Sequence, residues 1–343
     1  MVFSLVLLAL LAMCVLVIFS QFARSITHLG SASSSRTRTH VAGPRLEEVI
    51  LEDNDASSKI IAVVDVTGII SSRPIDQGGF TMVDLIKAQL KNAAEDKRVK
   101  SVILKVDSPG GEVLASDEIS EIIKDFQNGA KGSRGKPVIV SMGNLAASGG
   151  YYISAPCRWI VANKLTITGS IGVIMHGYNY RGLMDKIGLA PEVYKSGKFK
   201  DMLSGSRKPE EIPPEERAMV QALINEVYGQ FKTVVSDGRK DALAAGWEEY
   251  ADGRVLSGTE AKKLGFVDQL GNFDDAVTQA KKLGNIVGDA NLIQYQQRYD
   301  LGDFLRMFGE TKSESRTLKV DLGIETPKLI NGQLYFLSPL SIP

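Results

Sequence analysis

Histidine and cysteine are scarce in this sequence, and their scarcity narrows the hydrolytic mechanisms available to it. The 343 residues include three histidines and two cysteines. His28 and His40 lie close to the N terminus, and His176 has no acidic residue near it in the sequence that could orient its ring. We therefore interpret His176 as structural and expect no Ser-His-Asp triad. The sequence also has no His-Glu-x-x-His motif and no paired cysteines, so we expect neither a metal nor another cofactor.

An excess of charge of either sign is also absent. Lys and Arg together number 40, and so do Asp and Glu. No run of basic residues follows a helical pattern, so nucleic acid is not an expected partner. Cys14 lies in an apolar N-terminal stretch and Cys157 in the middle of the chain. We expect two buried thiols and no disulfide between them.

The N-terminal stretch is long and apolar. Residues 2–22 carry no charged side chain, and as a helix they could cross a hydrocarbon core of about 30 Å. A cleaved signal peptide, the alternative, would show a basic n-region and a shorter apolar region of roughly 7 to 15 residues. The sequence thus predicts a transmembrane anchor at residues 1–23. By the positive-inside rule the arginines that follow favour a cytoplasmic location for the rest of the chain; they are Arg24, Arg36, Arg38 and Arg45.

A polar segment follows the predicted anchor and precedes a predicted folded domain. Residues 24–58 are predicted to be a flexible tether, because their Ser-, Arg- and Thr-rich part cannot bury enough apolar surface to fold. Residues 59–285 then alternate β-branched apolar runs with segments of helical period, which predicts the α/β class with a mostly parallel sheet. Residues 286–343 are weakly patterned and are assigned to a C-terminal extension. The predicted strands lie at 60–66, 99–106, 137–141, 159–162 and 191–194, and the predicted helices at 81–95, around 119–126, at 213–239 and after Ser257, where Glu260 completes a capping box.

Two glycine-containing segments follow predicted strands. In the first, Asp107-Ser-Pro-Gly-Gly111, proline and glycine are typical of an ordinary turn, but glycines also let backbone N–H groups face a developing oxyanion. The second runs from Met142 to Tyr152 and centres on Ser148. A serine there could be only a helix N-cap. Its small neighbours also leave the hydroxyl open to approach, which is what an activated nucleophile needs.

A nucleophilic serine requires a base, and lysine is the remaining candidate. The segment 195–203 contains Lys195, Lys198 and Lys200. Most lysines are solvated surface residues. Lys200 has apolar neighbours, Phe199, Met202 and Leu203, and burial among them would lower the pKa of its ammonium group until the neutral amine could accept a proton. The residues alone do not choose among the three lysines.

Four motifs in a fixed order resemble the signal peptide peptidase A (SppA) family in its short single-copy form. The resemblance extends from about residue 60 to 283 and implies a ClpP/crotonase-like fold of repeated β-β-α units, here with a helical appendage. The motifs are Asp-Ser-Pro-Gly-Gly at 107–111, Ala-Ala-Ser-Gly-Gly-Tyr-Tyr at 146–152, Thr-Gly-Ser-Ile-Gly-Val at 168–173 and Gly-Lys-Phe-Lys-Asp at 197–201.

The resemblance also implies a role for each matching position. Ser148 is similar to the family's nucleophile, Lys200 to its general base, and Ser170 to the serine that orients the lysine. The backbone N–H groups of Gly111 and Gly149 would form the oxyanion hole. The implied activity is that of a serine endopeptidase with a Ser-Lys dyad.

Partners and location are implied in the same way. The resemblance implies a ring-shaped homo-oligomer in which Ser148 of one subunit meets Lys200 of the next. The implied substrates are cleaved signal peptides and other membrane-associated or misfolded polypeptides. Relatives hold this domain outside the cytoplasmic membrane, so we expect a single-pass protein of the cell membrane with an extracytoplasmic catalytic domain, against the arginine pattern.

Two other functions fit parts of the sequence. A crotonase-like acyl-CoA enzyme also uses Gly-Gly turns to polarise a carbonyl, but it would be soluble and would use catalytic carboxylates. A non-catalytic membrane scaffold would bind peptides without cutting them. The presence of a candidate residue for every catalytic role favours the peptidase over both.

Overall fold

A computed structural model describes residues 43–54, 57–75, 79–129, 134–298 and 333–341. The anchor predicted at residues 1–23 and the first part of the predicted tether lie outside these residues, as do Cys14, His28 and His40. In the described part of the chain, no helix combines the length and apolar character that crossing a bilayer requires. The anchor therefore stays a prediction.

A mostly parallel sheet forms the centre of the described domain, as predicted. Its main strand order is β1-β11-β2-β3-β5-β6-β10; β7 also pairs with β5, and β9 pairs with β7. All neighbours on the main path are parallel except β1 and β11. The strands are β1 (Leu46–Glu52), β2 (Ile60–Thr67), β3 (Val99–Ser108), β5 (Val138–Ala147), β6 (Trp159–Ala162), β7 (Ile167–Gly169), β9 (Val255–Ser257), β10 (Gln269–Leu270) and β11 (Asn291–Gln297).

Helices cover both faces of this sheet, so its central strands are mostly buried and predominantly apolar. Alternate residues of β2 belong to two separate apolar clusters: Ala62 and Val64 lie in the larger one, and Ile61 in the smaller one, with Ala276 and Ala280. The helices are α1 (Met82–Glu95), α2 (Val113–Asn128), α3 (Gly149–Ser154), α4 (Arg181–Lys186), α5 (Pro214–Arg239), α6 (Gly258–Lys263) and α7 (Phe273–Leu283).

The helix signals in the sequence are confirmed at particular residues. The first predicted helix, 81–95, corresponds to α1, where Thr81 and Asp84 form a capping box. The predicted box at Ser257 and Glu260 is also present and opens α6. The long helix expected at 213–239 is α5, which begins one residue later than expected.

A second, three-stranded sheet lies beside the main one. Its order is β4-β12-β8, formed by β4 (Gly110–Glu112), β12 (Leu334–Leu337) and β8 (Ile174–Met175). The middle strand, β12, is antiparallel to both neighbours. It belongs to the segment that the sequence left without a structural assignment.

Two boundaries and one strand differ from the prediction. The predicted tether, 24–58, contains β1, and the predicted C-terminal extension, 286–343, contains β11, which lies between β1 and β2 in the main sheet. Both boundaries were wrong because each strand has its partner at the far end of the chain. The strand predicted at 191–194 is also wrong: these residues have no regular structure, and Val193 and Tyr194 are exposed.

Helix α5 joins the body of the domain only through its C-terminal half. Phe231, Val234 and Val235 are buried there, whereas Met219 and Leu223 near its start are exposed. At the last residue of the helix, the Arg239 guanidinium pairs with the Asp268 carboxylate. The second oxygen of Asp268 accepts the backbone N–H of Ile160 at 2.8 Å. This nearly buried ion pair fixes the end of α5 to the sheet.

The substitution Asp268→Ala should therefore destabilise the domain. It would leave the Arg239 charge buried without its partner, and removing one partner of such a pair costs about 3–5 kcal/mol. Chemical denaturation followed by circular dichroism measures this loss. The matched control is Asp252→Ala, which removes the exposed pair with Arg254 and should cost less than about 1 kcal/mol. Equal losses in the two variants would show that the Arg239 pair does not anchor the helix.

Candidate active site

Ser148 occupies a sharp turn between β5 and α3. Its backbone has φ 54° and ψ −117°, a conformation that is strained for a residue with a side chain. The strand-turn-helix arrangement is like that of a nucleophile elbow, in which strain exposes a serine hydroxyl to a substrate. A backbone hydrogen bond stabilises the turn: the Ser148 N–H donates to the carbonyl of Gly169 at 2.8 Å.

The hydroxyl group of Ser148 is buried and unengaged. Ser148 stands at the N-cap position of α3, yet its side chain makes no capping hydrogen bond. Among the described residues its Oγ has no hydrogen-bond partner at all. A buried hydroxyl normally has one, so an unpartnered Oγ in a strained turn indicates a functional group and not a helix cap.

Glycines bring backbone N–H groups close to this serine. A side-chain carbon on Gly149 would lie 2.7 Å from the Ser116 hydroxyl and 3.1 Å from the Gly111 nitrogen. A side-chain carbon on Gly111 would lie 1.8 Å from the Ile70 carbonyl oxygen. The 1.8 Å distance to a backbone oxygen is shorter than any side chain tolerates, so position 111 requires glycine, and a side chain at position 149 would be crowded. The structure thus brings the two predicted oxyanion-hole residues together.

The hydrogen bonds of β4 show which way the Gly111 amide faces. On one edge, the carbonyl of Gly110 accepts from Ile70 at 2.9 Å and the N–H of Glu112 donates to Ile70 at 2.8 Å. Backbone groups of successive residues in a strand face opposite edges. The N–H and carbonyl of Gly111 therefore face the other edge, on which β12 lies.

Ser170 lies next to Ser148. Strands β5 and β7 pair in parallel with Ala147 opposite Gly169, so the residues that follow them, Ser148 and Ser170, are neighbours. Ser170 is buried and also has a positive φ, 51°. Its N–H donates to the carbonyl of Arg254 at 2.7 Å, which fixes the turn.

The three candidate lysines differ in what they contact. Lys195 pairs with Asp201 at 2.8 Å, and Lys198 pairs with Glu215. Lys200 has no ion-pair or hydrogen-bond partner for its ammonium group within the described residues. Of the three lysines, Lys200 is the one whose amine is not paired with an acid. Its amine is therefore the one available to interact with another group.

The burial that we expected for Lys200 is not present in the single chain. Lys200 is exposed, and so are Met202 and Leu203 beside it. The apolar neighbours belong to a segment that packs little against the domain, which sequence neighbours alone could not reveal. No hydrogen bond within the chain joins Lys200 to Ser148 in the described residues, so the structure does not bring these two predicted residues together.

Residues 177–212, which we name the arm, carry Lys200 in an ordered turn. Asp201, next to Lys200, pairs with Lys195 and lies 3.7 Å from Arg207. Arg207 in turn pairs with the buried Glu216 at the start of α5. The arm also exposes large apolar side chains, which are Tyr178, Tyr180, Leu183, Ile187, Leu189, Val193 and Tyr194. It is thus an internally braced segment with an uncovered apolar surface.

Two other residues singled out in the sequence lie outside the catalytic cluster. The ring of His176 packs edge-on against Tyr178, with 4.7 Å between centroids. Cys157 is buried, and burial raises the pKa of its thiol, which leaves the group protonated and unreactive.

Aromatic residues that the sequence analysis missed adjoin the serine. Tyr152 follows Ser148 by one helical turn, and its N–H donates to the Ser148 carbonyl at 2.8 Å. Its ring packs on Phe231 of α5, with 5.0 Å between centroids. Burial and a hydrogen bond to Asp117 raise the pKa of the Tyr152 hydroxyl, so it stays protonated. The motif that contains Tyr152 was visible in the sequence, but its contact with α5 was not.

Comparisons with known proteins identify the family. Residues 130–287 match the model of peptidase family S49. The chain is 38% identical over 269 residues to "Putative protease slr0021" of Synechocystis sp., covering 78% of this chain and 90% of that relative. It is 39% identical over 256 residues to "Putative signal peptide peptidase SppA" of Enterococcus faecium, covering 73% and 71%. It is 34% identical over 229 residues to "Serine protease SPPA, chloroplastic" of Arabidopsis thaliana, covering 66% and 32%.

These similarities agree with the fold and with the cluster around Ser148. The chain belongs to peptidase family S49, the family that includes the SppA proteins, and it is a serine peptidase. The resemblance inferred from the four sequence motifs is therefore confirmed.

Proposed function

We propose that this protein is a membrane-bound serine endopeptidase in which Ser148 is the nucleophile and Lys200 of a neighbouring subunit is the general base. The observation that carries the proposal is the buried, unpartnered Ser148 hydroxyl in its strained turn. Because no described group of the same chain hydrogen-bonds to this hydroxyl, a base supplied by another chain can accept its proton. Lys200 suits that role because it is exposed and its amine is not neutralised by an acid.

The proposed reaction uses the cluster in a fixed order. The neutral amine of Lys200 accepts the Ser148 proton while the serine Oγ bonds to the substrate carbonyl carbon. The N–H groups of Gly111 and Gly149 stabilise the oxyanion. The peptide C–N bond then breaks, and Lys200 gives the proton to the departing amine. Lys200 next takes a proton from water, whose oxygen attacks the ester carbonyl carbon. The bond from that carbon to Ser148 Oγ then breaks, and Lys200 returns the proton to Oγ. Ser170, next to the serine, is proposed to orient the incoming amine.

A shared site requires a second copy of the chain, and the arm supports one. Its uncovered apolar side chains would be unfavourable in contact with water over so wide a surface. Packing them on a neighbouring subunit would bury Lys200 with them, and burial lowers the pKa of an ammonium group. We therefore propose a ring-shaped homo-oligomer in which the arm of one subunit carries its lysine to the serine of the next.

The proposed substrates are cleaved signal peptides and other membrane-associated or misfolded polypeptides. The printed name of the Enterococcus faecium relative, a signal peptide peptidase, supports this choice. The apolar stretch at 2–22 supports attachment to the cell membrane, and we propose an extracytoplasmic catalytic domain. Neither a crotonase-like acyl-CoA reaction nor a purely scaffolding role is favoured by a particular contact in the described residues.

A serine-reactive fluorophosphonate probe tests the proposed nucleophile. We expect the probe to label the full chain at Ser148, because an activated hydroxyl reacts far faster than the other serines. Mass spectrometry of the digested protein identifies the labelled residue. The Ser148→Ala variant should not be labelled. A label on a different serine, persisting in that variant, would overturn the assignment.

A further inference from the structure

The arm is attached to the domain by polar contacts and not by the apolar core. Both apolar clusters of the described domain exclude residues 177–226, which comprise the arm and the N-terminal half of α5. Three successive residues of α5 contact the arm through polar groups: Glu215 pairs with Lys198, Glu216 pairs with Arg207, and the Arg217 guanidinium donates to the carbonyl of Pro209 at 3.4 Å. These contacts therefore determine where the arm holds Lys200.

Glu216 is the buried member of this set. It is 2% exposed, whereas Glu215 and Arg217 on either side of it are exposed. One carboxylate oxygen, Oε1, accepts both the Leu203 N–H at 3.2 Å and the Arg207 guanidinium. The other oxygen, Oε2, is buried and has no hydrogen-bond partner among the described residues. Because a buried carboxylate that is only half satisfied is costly, stability alone does not account for it.

The hydrogen bond to Leu203 fixes the turn that carries Lys200. Leu203 has φ 66°, a left-handed conformation that is unfavourable for leucine and persists only when its surroundings support it. The Glu216 carboxylate provides this support by accepting the Leu203 N–H. Within the turn, the N–H of Lys200 donates to the Gly197 carbonyl at 3.1 Å. Glu216 thus acts on the backbone three residues from the proposed base.

The Arg207 side chain extends this contact to the residue beside the base. Its Nε lies 3.7 Å from one carboxylate oxygen of Asp201. Lys195 pairs with the other oxygen at 2.8 Å. From Glu216 to Lys195 the four side chains alternate in sign, so both acids are paired with cations other than Lys200. The network therefore fixes the backbone on both sides of Lys200 and leaves its amine unpaired within the described residues.

We infer that Glu216 is a positioning residue for catalysis, whose buried carboxylate holds the turn that presents the Lys200 amine to Ser148 of the neighbouring subunit. The inference rests on the proposed function, because it takes Lys200 as the base. Proton transfer requires the amine to lie within hydrogen-bond reach of the hydroxyl. A displacement of about 1 Å that begins far from the chemistry can lower a rate about 10²-fold. Glu216 acts on this step only through the conformation of the arm.

Steady-state hydrolysis of a fluorogenic peptide by the full chain, purified in detergent, tests this role. For Glu216→Ala we expect kcat to fall about 10²-fold and KM to stay within about threefold of wild type, because a displaced base affects the chemical step and not substrate binding. Glu216→Gln keeps the size of the side chain and an oxygen for the Leu203 N–H, but it loses the charge that pairs with Arg207. We therefore expect glutamine to recover part of the kcat that alanine loses.

Glu215→Ala is the matched control. It removes the carboxylate next to Glu216, which is exposed and pairs with Lys198. An exposed pair contributes little, so we expect kcat and KM near the wild-type values. Light scattering in the same detergent measures the assembly of each variant. We expect the assembly to be retained in all three, because the apolar side chains of the arm are unchanged.

A double-mutant cycle separates positioning from a general structural effect. If Glu216 acts through the Lys200 amine, no amine is left to position in the Lys200→Met variant. Adding Glu216→Ala to that variant should therefore change the residual rate less than about twofold. A substitution that merely unfolds part of the protein would lower the rate by the same factor, about 10², in both backgrounds. The residual rate is measured as the excess over the Ser148→Ala variant.

The outcomes separate this inference from the proposed function. A wild-type kcat in Glu216→Ala, together with a large loss in Lys200→Met, would overturn the inference and leave the proposed function standing. Equal losses in the two backgrounds, a dissociated assembly, or a loss in Glu215→Ala as large as that in Glu216→Ala would show a structural role and also overturn it. Wild-type hydrolysis in Lys200→Met would instead refute the proposed base.

Discussion

Replacing Ser148 by alanine should lower peptide hydrolysis by on the order of 10⁵-fold or more in kcat, the scale of loss on removing a catalytic nucleophile. The serine supplies the oxygen that forms the acyl-enzyme, and no other described hydroxyl stands in the same turn with its Oγ unengaged. The fold should be retained, because the hydroxyl makes no hydrogen bond that alanine would break. Hydrolysis of a fluorogenic peptide, together with thermal unfolding, measures both effects.

Ser120→Ala is the matched control for this substitution. Ser120 is also fully buried and its hydroxyl also lacks a partner in the described residues, but it lies within helix α2. Ser120→Ala therefore also removes a buried, unpartnered hydroxyl oxygen, but from a site away from the strained turn. We expect near wild-type hydrolysis in this variant. If both variants lost activity to a similar degree, the effect at Ser148 would be structural and not catalytic.

The substitution Lys200→Met should lower hydrolysis by about 10³-fold, since a positioned general base contributes roughly 10² to 10⁴. Methionine keeps an unbranched apolar side chain and removes the amine. The control is Lys198→Met, two residues away, whose ammonium is on the surface and paired with Glu215. Its loss should change the rate little, because an exposed pair contributes about 0–1 kcal/mol. Equal losses for the two lysines would remove the basis for assigning the base to Lys200.

Mixing two inactive proteins tests whether the site is shared between subunits. When Ser148→Ala and Lys200→Met chains are co-expressed in equal amounts, half of the serine positions and half of the lysine positions remain intact. In a randomly mixed ring, about one quarter of the sites then combine an intact serine with a neighbour's intact lysine. We expect about a quarter of the wild-type activity to return. Mixed rings with no activity would place both residues of the dyad in one chain.

The local sequence determined most of the domain. Strands such as β2 and β3 are mostly buried, so they appear as predominantly apolar runs, and helix α1 carries both an apolar stripe and a capping box. The sequence also pointed to Ser148 and Ser170, because each follows a strand in a glycine-containing turn. Residues at the carboxyl ends of neighbouring parallel strands meet at one edge of a sheet.

Strand pairings between distant parts of the chain could not be predicted from the sequence. Strand β1 is mostly exposed, and β11 is polar in part, so their residues resemble a tether and an extension until they pair with each other. The arm contains Val193 and Tyr194, which favour a strand by composition, but no strand in the described part of the chain pairs with residues 191–194. A strand is stable only with a hydrogen-bonding partner, and the partner is not encoded nearby in the sequence.

The sequence by itself determined the family, the parallel core and the residues around Ser148, because each depends on contacts between near neighbours or on motifs at fixed spacing. Only the tertiary structure decided which lysine is unpaired, that this lysine is exposed in the single chain, and that Phe336 of β12 packs against Tyr152 and Phe231. These facts depend on which side chains meet after folding, and residues 231 and 336 become neighbours only when the sheet has brought helix α5 and strand β12 to the same serine.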